Sequence, residues 1–324
     1  MAGNIVQIFE HAKKEASEAL AHDKKGEYSE AIKKYLSAVE KLIKVKEGTD
    51  NLTIKENSEE KIKEYRNRAN LLKFRVRILQ ANNFYENKEF KKAVDAYKQA
   101  LEINPEFKEG WDNLGSSFKN IGEIDKALEA YKKAVEIDPT FLSAWMNLGL
   151  AYYDVRKLEK AIEAFKELLN VNSTHLDAWY HLGLAYMEKM DPEKAIVAHK
   201  KVVQIDPSFL NAWIHLGIAY KQINEINEAI SAYKRAVIID SSSLEGWSNL
   251  GELYLKVGEI DKAVDAFNKV VEIQPQSHEA WGTLGDIYKL RLDLDKAMEA
   301  YKQAVEIEPK NAKVWRNIGD IYKE

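Results

Sequence analysis

The stretch AWMNLGLAYYD at residues 144–154 decides the fold of this 324-residue chain, because its spaced residues recur at one fixed interval. Trp145, Leu148, Gly149 and Tyr152 stand at i, i+3, i+4 and i+7 and therefore share one face of an α-helix. All seven tryptophans follow one another at a constant interval of 34 residues, at Trp111, Trp145, Trp179, Trp213, Trp247, Trp281 and Trp315. A repeat of this length predicts stacked helical or sheet units rather than one globular core.

Each 34-residue unit has the pattern of two helices joined by a turn. Sixteen residues after each of the first six tryptophans comes an alanine, as at Ala161, and prolines such as Pro139 stand where the second helix ends. A single hairpin cannot bury its apolar face, so neighbouring hairpins must stack. The pattern W-x-x-L-G-x-x-Y with the later Ala, aromatic and Pro resembles the tetratricopeptide repeat (TPR). That resemblance implies an all-α, right-handed superhelical solenoid.

Residues 74–324 are predicted to form seven hairpins and a lone last helix. With each Trp at position 4 of a 34-residue unit, the hairpins occupy 74–107 and the six units from 108 to 311, and the last helix occupies 312–324. In the first of these units, Arg77 and Gln80 replace the Trp and the Leu of the pattern.

Residues 1–73 depart from the repeat. Ala31 and Ala93 would be successive position-20 alanines, but their separation is longer than one repeat unit and shorter than two, so an extra helix is inserted between them. The stretches DKKGEYSEAIKKYLSAV (23–39) and KEYRNRANLL (63–72) resemble the MIT domain, the microtubule-interacting and trafficking three-helix bundle. The resemblance predicts a three-helix bundle over 1–73. A degenerate first hairpin with a spare capping helix would share the same pattern.

The third helix of this bundle is predicted to be long. The polar stretch 47–58 is expected to be a loop, with Ser58 at the helix start. No Gly or Pro interrupts residues 59–87, so the helix should continue as the first helix of unit 74–107, over roughly 43 Å. A shared helix would join the bundle rigidly to the repeats.

Positions 2, 5, 9 and 12 of each unit lie opposite the core face of the first helix. In tetratricopeptide proteins they line the concave groove, where peptides bind. In three middle units these positions are largely apolar, at Met146, Leu150, Tyr153, Tyr180, Leu184, Met187, Ile214 and Ile218. Hairpin packing does not require apolar residues there, and an exposed apolar patch usually marks an interaction site. Because the flanking units are acidic, the predicted ligand is an apolar or amphipathic peptide with basic ends; self-association, or cover by part of this chain, is the alternative.

Position 6 adds polar side chains to the predicted peptide-binding site, at Asn113, Asn147, His181 and His215. In related proteins, an asparagine at this position often bonds to the peptide backbone. His181 and His215 are one repeat apart, too far to share a metal ion, so no metal site is predicted. His199 falls at an aromatic core position and is predicted to be a core residue.

The MIT resemblance implies a second binding site on the bundle. MIT domains capture tails of ESCRT-type filament proteins in grooves along the third helix. On this chain Tyr65, Arg68 and Leu72 are predicted to line such a groove, with a second protein tail as the partner.

Composition and motifs exclude several function classes. The chain has 48 Lys and Arg against 52 Asp and Glu, a net charge of −4 that argues against nucleic-acid binding. No apolar run reaches the ~18–20 residues that span a bilayer. Cysteine is absent, which removes thiolate nucleophiles and thiolate metal sites. No P-loop, G-x-G-x-x-G, H-E-x-x-H or G-x-S-x-G motif occurs, so neither enzyme activity nor a cofactor is expected.

These features together predict a scaffold that holds two protein segments at once. The start of the chain lacks a signal-peptide pattern, so a cytoplasmic location is expected. One alternative is a chaperone-type or assembly adaptor whose bundle only caps the repeats. A homo-oligomeric structural protein is another alternative, because Val314 and Ile321 occupy the face of the last helix that would meet a following helix.

Overall fold

The computed structural model describes residues 2–323, and all the regular secondary structure in this range is α-helical. This confirms the all-α class. The chain divides into two compact units, of which the first ends at Arg156 and the second begins at Lys157. The predicted boundary between residues 73 and 74 falls inside a helix, so the assignment of 1–73 and 74–324 as domains stays a prediction.

Three long helices form the N-terminal bundle: α1 (Ala2–Lys24), α2 (Tyr28–Gly48) and α3 (Leu52–Glu86). Their core contains Ala19 from α1, Tyr35 from α2 and Leu72 from α3, each at most 5% exposed. Burial of such apolar surface is the main favourable term that holds the three helices together.

The third helix begins earlier than the sequence predicted. Asn51 is its N-cap, and the side-chain oxygen of Asn51 accepts a hydrogen bond of 3.2 Å from the backbone N–H of Ile54. Ser58, predicted to start the helix, is buried within it, so that prediction was wrong. Ser58 and Ile62 are both buried and stand one turn apart, so the polar residues of this stretch belong to the solvent side of a helix. As predicted, α3 continues without a break to Glu86.

The helices that follow α3 alternate between first helices of 13 residues and second helices of 14, and the last helix has 10. In the first unit they are α4 (Phe90–Ile103), α5 (Lys108–Asn120), α6 (Ile124–Ile137) and α7 (Leu142–Asp154). In the second unit they are α8 (Leu158–Val171), α9 (Leu176–Glu188), α10 (Pro192–Ile205), α11 (Leu210–Gln222), α12 (Ile226–Ile239), α13 (Leu244–Lys256), α14 (Ile260–Ile273), α15 (His278–Leu290), α16 (Leu294–Ile307) and α17 (Ala312–Ile321). In the first unit α3 packs on α4, and α5 on α6; in the second unit α9–α10, α11–α12, α13–α14 and α15–α16 pack as hairpins.

Small residues allow the two helices of a hairpin to approach closely. The ring of Tyr233 on α12 lies so near Gly217 on α11 that a Cβ on this glycine would be 2.5 Å from the ring. Ala229 on α12 is fully buried. The indole N–H of Trp213 donates a hydrogen bond of 2.9 Å to the carbonyl oxygen of Pro207, and the other six tryptophans make the same bond six residues back. The tryptophans therefore also tie each first helix to the turn before it.

Candidate functional site

The second unit carries five of the eight predicted apolar groove residues, on α9 and α11. Tyr180, Leu184 and Met187 are half-buried on α9, and Ile218 is half-buried on α11. Ile214 is only 7% exposed and packs within the hairpin core, so its prediction as a surface contact was wrong. We call Tyr180, Leu184 and Met187 the apolar row, since these three are partly accessible and follow one another along α9.

The remaining three apolar groove residues, Met146, Leu150 and Tyr153, lie half-buried on α7 in the first unit. In the same unit, the carboxylate of Asp112 on α5 is buried and accepts hydrogen bonds from Asn147 Nδ2 at 2.8 Å and from Ser143 Oγ at 2.6 Å. Burial raises the pKa of the Asp112 carboxyl above its ordinary value. The amide of Asn147, predicted to bond to a peptide backbone, therefore has an internal role in joining α5 to α7.

The two position-6 histidines pack against aromatic rings. The His181 ring stacks on Phe165, with 5.9 Å between ring centroids and an interplanar angle of 24°. The His215 ring stacks on Tyr180 at 5.6 Å and 25°. Asn113 is half-buried on α5 in the first unit. The two histidine rings thus pack against neighbouring aromatic side chains, and His215 contacts Tyr180 of the apolar row.

A cluster of rings lies around Tyr180, between α9, α10 and α11. The Tyr180 ring is 5.0 Å from Phe209 and 5.8 Å from His199, and His199 is 5.1 Å from His215. His199 is fully buried, as predicted for a core residue. Burial, with a smaller contribution from His215, lowers the pKa of His199 to about 3, so its imidazole is neutral at physiological pH.

The bundle has a groove of about 640 Å³ between α1 and α3. Leu20 on α1 and Leu71 on α3 line it and are 46% and 52% exposed. Tyr65 and Arg68 also line this bundle groove. Leu72 does not, because it is 1% exposed in the bundle core. One residue is a rotation of about 100° around a helix, which is why Leu71 takes the place predicted for Leu72.

Arg68 is held by an internal ion pair. Its guanidinium lies 2.6 Å from a carboxylate oxygen of Asp23, and Asp23 is buried at the end of α1. Lys13 and Glu64 line the same bundle groove, so its walls carry both signs of charge.

Val314 was predicted to lie on the face of the last helix that would meet a following helix, and this prediction was wrong. Val314 is 3% exposed and packs in the core with Tyr301, so it cannot meet a following helix. The exposed aromatic residues of this end are Trp315 and Tyr322, at 51% and 74%.

Among residues 2–323, no three His, Asp or Glu side chains come together in a way that could hold a metal ion. Within the same range, every helix is too short or too polar to cross a membrane.

The face formed by the second helices was not among the surfaces predicted to bind a ligand. Two grooves lie there, one of about 740 Å³ between α4 and α6 and one of about 500 Å³ between α8 and α10. The sequence signal for these grooves was the charge at positions 22 and 29 of the 34-residue repeat. This charge varies from repeat to repeat, whereas position 11 is always aromatic.

Family models match both parts of the chain. The model of the MIT (microtubule interacting and transport) domain matches residues 9–73. Tetratricopeptide repeat models match residues 74–107, 116–155, 143–175, 176–209, 219–258, 244–277 and 285–324. No curated protein matches the chain.

Several solved structures share the fold. The C-terminal part of a TPR repeat-containing protein from Cytophaga hutchinsonii has a TM-score of 0.64 at 16% identity, over 75% of this chain and 98% of its own. MamA has a TM-score of 0.50 at 29% identity, over 52% of this chain and 93% of its own. YrrB, described as a TPR protein with an unusual peptide-binding site, has a TM-score of 0.52 at 23% identity, over 58% of this chain and 97% of its own. The likenesses to the Cytophaga protein and to YrrB concern the fold alone, because so few of their residues are identical to those of this chain.

Proposed function

We propose, from the premise that this chain is a tetratricopeptide repeat protein with an N-terminal MIT domain, that it is a non-enzymatic scaffold whose repeats bind a peptide segment of another protein. The observation that carries the proposal is the apolar row. Tyr180, Leu184 and Met187 occupy positions 5, 9 and 12 of α9, on the face away from the Trp and Gly of the core pattern. When a ligand covers partly accessible apolar side chains of this kind, the buried apolar surface contributes favourably to the free energy of binding.

The chemistry of the ligand follows from the charges further along the second unit. Glu245 on α13 is exposed, and Glu279 on α15 has a side chain that is 74% exposed. Both stand at position 2 of a first helix. Glu279 lies 3.0 Å from the ring nitrogen Nε2 of His278, and Glu252 is paired with Lys221 at 2.9 Å. A segment with apolar residues followed by Lys or Arg would therefore complement the first-helix face of this unit.

The test measures binding of labelled peptides to the full chain by fluorescence anisotropy. The probe is a helical peptide with leucines at i, i+3, i+4 and i+7 and lysines at one end. Leu184→Asp should weaken binding by roughly tenfold or more, because a carboxylate would face the apolar side of the peptide.

A matched control lies in the same hairpin. Met190 is 80% exposed at the turn between α9 and α10, so Met190→Asp adds the same charge away from the apolar row. Its binding should equal that of the wild type. Equal binding by a folded Leu184→Asp variant would reject the apolar row as the site, and light scattering over a concentration series distinguishes peptide binding from self-association.

The bundle groove supports a second site in the same proposal. Leu20 and Leu71 present exposed apolar surface on its two sides, and the MIT family supplies the expectation of a protein tail, such as that of an ESCRT-type filament protein. With such a tail as a synthetic peptide, Leu71→Asp should abolish binding. Leu79→Asp is the control, because Leu79 is also 52% exposed on α3 and does not line the groove. If both variants bind alike, the bundle acts as a cap.

A further inference from the structure

The face formed by the second helices of the hairpins has a groove of the same construction in each of the two compact units. In the first unit the floor between α4 and α6 contains Trp111 and Phe118 of α5. In the second unit the floor between α8 and α10 contains Trp179 and Tyr186 of α9. We call these the α4–α6 groove and the α8–α10 groove. The two are built from equivalent positions of the repeat, so differences between their walls can be read position by position.

The two grooves differ in charge. Three glutamates line the α4–α6 groove: Glu102, Glu129 and Glu136. The equivalent positions on α8 and α10 hold uncharged residues: Asn170, Val197 and Gln204. Lysines occupy four equivalent positions in both cases: Lys98, Lys126, Lys132 and Lys133 in the first unit, and Lys166, Lys194, Lys200 and Lys201 in the second. Over these equivalent positions the α4–α6 groove has four lysines and three glutamates, whereas the α8–α10 groove has four lysines and one neighbouring glutamate, Glu167, so the α8–α10 groove is more positive by two charges.

Lys166 and Lys201 are available to a partner, whereas Lys194 already has a carboxylate partner. The ammonium groups of Lys166 and Lys194 lie 6.0 and 5.6 Å from the centroid of the Tyr186 ring. Lys194 also pairs with Asp191 at 2.6 Å. Lys201 contacts the uncharged Gln204 at 3.3 Å. In the part of the chain that the structure describes, no carboxylate forms an ion pair with Lys166 or Lys201.

An apolar contact surface lies beside these charges. Val197 lines the α8–α10 groove and is 58% exposed, at the position where Glu129 lines the other groove. Trp179 and Leu182 contribute the floor next to it. A side chain that entered here would be covered by apolar atoms on several sides while its neighbours met lysines.

We propose that the α8–α10 groove binds an acidic peptide segment, with an apolar side chain against Trp179 and Val197 and carboxylates against Lys166 and Lys201. Charge complementarity selects this occupant. A peptide can place an apolar side chain against Val197 next to its carboxylates, which a nucleic-acid backbone cannot do. This surface is independent of the apolar row, which lies on the first-helix face and calls for basic residues in its ligand.

The test uses the full chain and three fluorescein-labelled decapeptides. The first has a central leucine flanked by glutamates, the second has lysines in place of the glutamates, and the third has serine in place of the leucine. The first should bind roughly tenfold more tightly than either of the others, and its affinity should fall as salt is added.

Variants then locate the site. Val197→Glu introduces the acid that the α4–α6 groove has at this position and should lower the affinity for the acidic peptide by roughly tenfold. Lys166→Gln should weaken it as well, whereas Lys98→Gln, the equivalent change in the first unit, should have no effect. Leu184→Asp should also leave it unchanged, so failure here and failure of the apolar row are separate results.

Two results would overturn the proposal. One is unchanged binding of the acidic peptide to a folded Val197→Glu variant. The other is tighter binding of the wild-type chain to anionic lipid vesicles, or to a DNA oligonucleotide, than to the acidic peptide.

Discussion

The hydroxyl of Tyr301 donates a hydrogen bond of 2.7 Å to the carboxylate of Asp286, and so joins position 24 of one hairpin to position 9. In the hairpin of α11 and α12 the same positions hold Tyr233 and Ile218. Ile218 offers no acceptor, and the buried Tyr233 hydroxyl has no hydrogen-bond partner within residues 2–323. The hairpin of α11 and α12 thus lacks the hydrogen bond that Tyr301 makes, because Ile218 stands at the position of the acceptor.

Tyr233→Phe should therefore stabilise the chain, since it removes a buried hydroxyl that has no partner. We expect an increase of about 1 kcal/mol in the free energy of opening of this hairpin, measured by hydrogen exchange of the α11 and α12 amides. Phe267 fills the equivalent position of the next hairpin, so the ring fits without the hydroxyl. Tyr301→Phe is the opposite case and should destabilise α15 and α16 by about 1 kcal/mol. Equal effects of the two substitutions would contradict this explanation.

The stability of the second unit should depend on the protonation of His199. Burial lowers the pKa of His199 from its ordinary value of 6.5 to about 3. Between these values the unfolded chain binds a proton that the folded chain does not, so stability is full above pH 6.5 and falls by up to about 1.4 kcal/mol per pH unit on acidification.

His199→Phe should remove this part of the pH dependence, since Phe165 and Phe267 show that a phenyl ring suits the position. The measurement is the urea midpoint of both proteins from pH 7 to pH 4. Some pH dependence should remain, because burial also lowers the pKa of His215. Parallel curves for variant and wild type would show that His199 does not titrate as its burial requires.

The turns between first and second helices contain a strained position. Leu292 adopts a φ of +63° at position 15 and is 83% exposed, while Gly122 occupies the same position with a φ of +83°. A left-handed conformation costs a non-glycine residue about 1–2 kcal/mol. Leu292→Gly should raise the thermal midpoint of the chain, and Gly122→Leu should lower it. A lower midpoint for Leu292→Gly would mean that the leucine side chain contributes more than its backbone costs.

The continuity of α3 can be tested by limited proteolysis. Arg75 and Arg77 are exposed side chains within α3, whereas Lys88 lies in the turn after it with a φ of +61°. Trypsin requires an extended backbone, so it should cut after Lys88 well before it cuts after Arg75. Arg77→Pro removes a backbone hydrogen bond of α3 at a cost of about 3 kcal/mol and should make Arg75 a rapid cleavage site. Rapid cleavage at Arg75 in the wild type would indicate that the bundle and the repeats are joined flexibly.

Much of the fold could be predicted from residue spacing, because helical periodicity is a local property. Trp, Leu, Gly and aromatic residues at i, i+3, i+4 and i+7 indicated a first helix, and the shared helix at the start of the repeats followed from the absence of Gly and Pro. The predicted start of α3 was wrong, because the polar residues of this stretch lie on the solvent side of a helix that buries Ser58 and Ile62 on its other side.

The candidate sites could be predicted only in part. Tyr180, Leu184 and Met187 are partly accessible, as predicted. Ile214 is buried, although it stands at the same position of its 34-residue repeat as Tyr180. Position in the repeat gives the direction of a side chain, whereas its exposure depends on which neighbouring side chains cover it. On α3 the direction itself was wrong by one residue, so Leu72 is core and Leu71 is at the surface.

The amino-acid sequence by itself determined the all-helical class and the order of the hairpins, since these depend on helical periodicity and on a 34-residue period. Tertiary structure decided which polar atoms find partners and which charges surround a groove. Residues on other helices decide whether the hydroxyl of Tyr233 has a hydrogen-bond partner and which charges surround Val197. Contacts of that kind are set by the packing of the helices, and periodicity along one helix carries no information about them.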